Sequence, residues 1–69
     1  MKYIITKCNN IVIFSDGIGH NEIAKNIGEE VISAGMIDSG LNVFGKSATL
    51  NLASREIDKA IIKRQFNID

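Results

Sequence analysis

The chain has 69 residues, with 8 Lys plus Arg against 8 Asp plus Glu, 45% apolar residues and a single cysteine. That length fits one small domain with a thin core and excludes most multi-element enzyme folds. One cysteine excludes an internal disulfide framework and leaves too few ligands for a cysteine-based zinc site, while balanced charge weighs against nucleic-acid binding.

In chain order, Lys2–Cys8 and Ile11–Phe14 are rich in β-branched and aromatic residues and read as a β-hairpin turning at Asn9-Asn10, a pair that tolerates positive φ. Ser15–Gly19 is a loop, since two glycines fall within three residues. Asn21–Ile27 follows as a short helix, with Ile23 and Ile27 on one face and Gly28 placed for a left-handed stop. Val31–Ile37 is a third strand, Asp38-Ser39-Gly40 a turn, and Leu41–Phe44 the start of a fourth strand. The alternation breaks at Gly45, which predicts a bulge or a close backbone approach there, and Ala48–Leu52 carries the strand onward. Ser54 is the expected N-cap of a last helix, with Glu56 and Asp58 in its first turn, Lys63 and Arg64 in its last, and Ile57, Ala60 and Ile61 on its buried face.

The expected fold is thus α+β: a single domain over residues 1–69 in the order β-β-α-β-β-α. A four-stranded, mainly antiparallel sheet would carry both helices on one face. No apolar run approaches the ~18 residues of a membrane span. Met1–Lys7 is too soon interrupted to be a secretion signal, so a reducing, cytoplasmic setting is expected.

Gly40-Leu41-Asn42-Val43-Phe44-Gly45-Lys46-Ser47 matches the G-x-x-x-x-G-K-[ST] phosphate loop. Such a loop follows a strand and leads straight into a helix. Here the stretch itself reads as strand, and the nearest helix start lies seven residues beyond, at Ser54. Gly17-Ile18-Gly19-His20-Asn21-Glu22 begins like a dinucleotide fingerprint, but Glu22 replaces the third glycine; its N–H groups at a helix start could still hold an anion. His20, the only histidine, could act as a base oriented by Asp16 or Glu22, and is more simply a residue beside a helix start. No Ser-His-Asp set and no carboxylate pair emerges, so the chain reads as a non-enzyme without a cofactor or bound metal. Ser33, Gly35, Gly45, Lys46, Ser47, Ser54 and Arg55 form a set of small, hydroxylated or basic residues near strand ends, suited either to tight packing or to gripping an anionic ligand.

Ile32-Ser33-Ala34-Gly35-Met36, Val43–Leu50 and Ala53–Asp58 carry the pattern S-A-G, then G-x-S-x-x-L, then S-R-x-x-D. This pattern, with the Lys2-Tyr3-Ile4-Ile5 opening, resembles a group of small proteins encoded by phages and mobile elements, over about half to two-thirds of the chain. The resemblance implies an accessory protein acting in the host cytoplasm: a homo-oligomeric binder that sequesters a nucleotide-like signal to counter host defence. The alternative is a module that inhibits or adapts a host or phage protein.

Overall fold

The structure is a computed structural model and describes residues 1–66. Its elements are β1 (Lys2–Thr6), β2 (Ile11–Phe14), α1 (His20–Ile27), β3 (Val31–Ile37), β4 (Val43–Phe44), β5 (Lys46–Ser47), β6 (Leu52–Ala53) and α2 (Glu56–Gln65). β2-β1-β3-β4 form an antiparallel four-stranded sheet, and β5 and β6 pair in a small second sheet. The α+β class and the element order follow the sequence reading.

The hairpin turns where two asparagines stand together: Asn9 has φ 62°, Thr6 N donates to Asn10 O at 2.9 Å and Asn9 N to Thr6 O at 2.8 Å. β1 therefore ends at Thr6, two residues earlier than expected. α1 starts one residue early, at His20, where Gly19 N donates to the Glu22 carboxylate at 3.3 Å. It stops at Gly28, whose φ of 68° favours glycine.

Successive strand residues face opposite sides of a sheet, and the core divides accordingly. Tyr3, Ile5 and Ile37 pack with Ile61 and Ile62 of α2; Ile4, Ala34 and Phe14 pack with Ile23 and Ile27 of α1 and with Leu50 and Leu52. The helices thus cover opposite faces, not one. This correction has a simple cause: α1 and the β5–β6 arm together cover the Ile4 face, so α2 closes the Tyr3 face.

Two further expectations change at the C-terminal end. The chain does not continue as one bent strand after Gly45. Gly45 takes φ 74°, β5 and β6 fold back on each other, and Gly45 O accepts from both Ser54 N and Ser54 Oγ at 3.0 Å. Ser54 is spent on that seam, so Arg55 is the N-cap of α2 and the Asp58 carboxylate accepts its N–H at 2.9 Å. The buried stripe of α2 is correspondingly rotated: Asp58 and Ile62 lie inside and Ile61 is half-buried, whereas Ile57 and Ala60 are exposed.

Gly35 marks the tightest crossing. A Cβ there would sit 2.6 Å from Phe44 O, 3.1 Å from Ser54 Cβ and 3.4 Å from Gly45 O. The chain leaving β4 and the chain entering α2 both pass over it, and only glycine leaves them room.

Candidate functional site

An open cleft of about 270 Å³ lies where α1 begins, lined by Lys2, Gly19, His20, Met36 and the Lys46–Thr49 segment. Each wall has a structural reason. Lys2 and Met36 are cross-strand partners, so their side chains stand side by side on the α1 face of the sheet. The Lys2 ammonium donates to Ile18 O at 2.9 Å, which ties the loop before α1 to the sheet.

His20 is nine-tenths buried and meets Phe14 edge-on, with ring centroids 5.4 Å apart and an interplanar angle of 83°. Its Nε2 lies 3.0 Å from Gly35 O. A carbonyl only accepts, so Nε2 carries a proton and donates it to Gly35 O. The histidine thereby fixes the start of α1 against β3. Neither Asp16 nor Glu22 orients its ring: Asp16 pairs with the N-terminal ammonium at 3.3 Å, and Glu22 takes the Gly19 N–H.

The opposite wall is held by Ser47, whose buried Oγ accepts from Leu50 N at 3.2 Å and shares a hydrogen bond of 3.2 Å with Thr49 Oγ1. Lys46 is exposed and makes no ion pair among the described residues. The cleft thus gathers two ammonium groups, two hydroxyls and the N-terminal end of a helix, where the Gly19 N–H is taken by the Glu22 carboxylate. No carboxylate lines it. The arrangement suits an anion.

The residues singled out from the sequence separate into three places. Lys46 and Ser47 line the cleft. Gly35, Gly45 and Ser54 form the crossing seam. Arg55 belongs to a network on the far face: Asp58, fully buried, accepts from Tyr3 OH at 2.5 Å, from Arg55 Nε at 2.8 Å and from Arg55 N at 2.9 Å. Burial, and then the adjacent Asp58 carboxylate, hold the Tyr3 phenol far above its ordinary titration range. Arg55 Nη2 and Ser33 Oγ are buried without a protein partner among the described residues; Ser33 stands opposite Ile5 inside the sheet and does not reach the cleft.

Lys2, Thr49 and Met36 are cleft residues that sequence reasoning missed. Lys2 and Lys46 meet only through the sheet, and no local pattern could join them. Lys46, Ser47 and the helix-start N–H groups were the parts of this cleft already visible as anion holders.

The G-x-x-x-x-G-K-S match does not fold as a phosphate loop. Gly40–Ser47 runs through a turn, β4, the left-handed Gly45 and β5, and leads into another turn rather than a helix. Among the described residues no three His, Cys, Asp or Glu side chains gather as a metal site, and no helix is long and apolar enough to cross a membrane. No family model, curated protein or solved structure matches the chain.

Proposed function

We propose that this domain is a non-enzymatic binder of a small anionic molecule, a nucleotide or smaller, held in the cleft between the start of α1 and β5. The carrying observation is the pairing of Lys2 and Lys46 around a helix N-terminus with no carboxylate in the lining. Lys46 would meet the anion as a mobile point charge, while the Gly19–His20 end of α1 and the Ser47 and Thr49 hydroxyls would orient it. His20 serves as a fixed wall, its Nε2 proton already committed to Gly35. The resemblance to phage accessory proteins supports sequestration of a nucleotide signal in the host cytoplasm, by an oligomer of this chain, as the biological use.

Calorimetry with orthophosphate and a panel of linear and cyclic nucleotides tests the reading. At least one anion should bind, and Lys46→Ala should weaken it about ten- to hundredfold, the worth of one charge-assisted hydrogen bond of roughly 1.5–3 kcal/mol. Heat of binding unchanged in both Lys46→Ala and Lys2→Ala would overturn the site.

The second reading, a module that docks on a host or phage protein, rests on Phe44 and Ile57, which are 52% and 57% exposed. A stoichiometric protein partner that is lost on Phe44→Ser, together with indifference to every anion, would favour it.

A further inference from the structure

The four-stranded sheet has two edges, and they are treated differently. β4 is two residues long and is blunted at once by the left-handed turn at Gly45, from which the chain folds back over β3. β2 is the other edge. Its sequence, Ile11-Val12-Ile13-Phe14, holds no charge, no proline and no glycine, the usual devices that keep an edge from pairing.

The register shows which backbone groups that edge presents. Thr6 N donates to Asn10 O, so Thr6–Asn10 is a hydrogen-bonded pair. Bonded and non-bonded pairs alternate along an antiparallel ladder. Ile4–Val12 and Lys2–Phe14 therefore bond across, while Ile11 and Ile13 turn their N–H and C=O groups away from β1. Among the described residues nothing in the chain takes these four groups. The side chains of Ile11, Val12 and Ile13 remain partly exposed beside them.

We propose that β2 is a self-pairing edge: two copies of this chain join antiparallel about a two-fold axis through Val12, making one continuous eight-stranded sheet. A two-fold sets a strand antiparallel to itself, which is the geometry the edge requires. In the Val12-centred register, Ile11 of one copy lies opposite Ile13 of the other, twice over, so all four outward groups on each chain find partners. Val12 faces Val12 at a non-bonded position, where side chains approach closest. Asn10 stands opposite Phe14, so no charged residue within the paired stretch opposes another. The interface leaves the anion cleft open, since none of its lining residues lies on β2.

Sedimentation equilibrium up to millimolar protein, with amide hydrogen exchange on the same samples, tests this. The chain should reach twice its 7.6 kDa, and the Ile11 and Ile13 amides should become protected as it does, whereas Val12 and Phe14 are protected throughout. Ile11→Pro removes an outward donor together with a side chain that packs partly on the core, and Val12→Lys sets two ammonium groups against each other on the axis at a position also partly packed on the core. Each variant should keep the wild-type circular dichroism spectrum and sediment as a monomer where the wild type is a dimer. A monomer at every concentration, or a dimer whose Ile11 and Ile13 amides exchange freely, would overturn the proposal. So would variants that stay dimeric. None of these outcomes depends on anion binding.

Discussion

Removing the Asp58 carboxylate should cost this small domain a large part of its stability. Asp58 is fully buried and satisfies three donors: Tyr3 OH, the cap N–H of Arg55 and Arg55 Nε. In Asp58→Ala the Tyr3 hydroxyl, on a side chain with no exposed surface, loses its acceptor; an orphaned buried hydroxyl costs roughly 1–3 kcal/mol. The first turn of α2 also loses its cap bond, worth about 0.5–2 kcal/mol. The Arg55 side chain is 37% exposed, so its ion pair is discounted for solvent screening and little is added for it. The expected loss is about 1.5–5 kcal/mol. A 69-residue chain at 0.05–0.15 kcal/mol per residue has only about 3.5–10 kcal/mol in total. Urea unfolding followed by circular dichroism reads this as a lower midpoint at unchanged slope. Asp58→Asn keeps the shape and one acceptor and should lose less. A loss below about 0.5 kcal/mol in Asp58→Ala, less than a single neutral hydrogen bond, would refute the view that this network ties α2 to the sheet.

Three further outcomes follow from the same geometry. Gly35→Ala must push the Phe44–Gly45 backbone away, an overpacking that should cost about 1–3 kcal/mol in the same unfolding assay, and a neutral result would contradict the crossing. Tyr3 is the only tyrosine, and its folded-state pKa is raised. Its contribution is therefore intact below the ordinary tyrosine pKa of about 10 and declines as pH rises above it, so phenolate absorbance should appear together with unfolding rather than before it. Asp38 accepts from Gly40 N and Asn42 N, both at 2.9 Å, and the Asn42 bonds hold its pKa below the ordinary value. What it adds to stability is present above the ordinary aspartate pKa of about 3.9 and lost as pH falls through its own lower value; an NMR titration midpoint at or above the ordinary value would contradict the turn.

Much of the fold was legible because its causes are local. The asparagine pair at the hairpin, Gly28 behind α1 and the interrupted alternation at Gly45 each act within a few residues, and each stands where the sequence placed it. The side of the sheet taken by each helix was not legible. Amphipathic spacing says that a helix has an inner face, not which face of a sheet receives it. α2 was harder still, because its buried stripe contains Asp58 while Ile57 is left outside, the reverse of what hydrophobic pattern predicts. The carboxylate is inside because Tyr3 OH and the Arg55 cap meet it there, and those partners come from opposite ends of the chain. The same reason hid the cleft. Ser47 and Lys46 drew notice through a phosphate-loop pattern that does not fold as one, yet they do line a basic cleft, with Lys2 supplied by the first strand. Ser54 and Gly45 were read as suited either to tight packing or to a ligand, and they bond each other where two segments cross.

Native mass spectrometry of gently purified protein, offered orthophosphate and linear and cyclic nucleotides, tests the anion cleft most directly, since it weighs the ligand on the protein. The cleft predicts a bound mass of phosphate or nucleotide size that disappears when Lys2 and Lys46 are both replaced by alanine. A chain that stays bare with every anion, or carries the same mass without the two lysines, would contradict it.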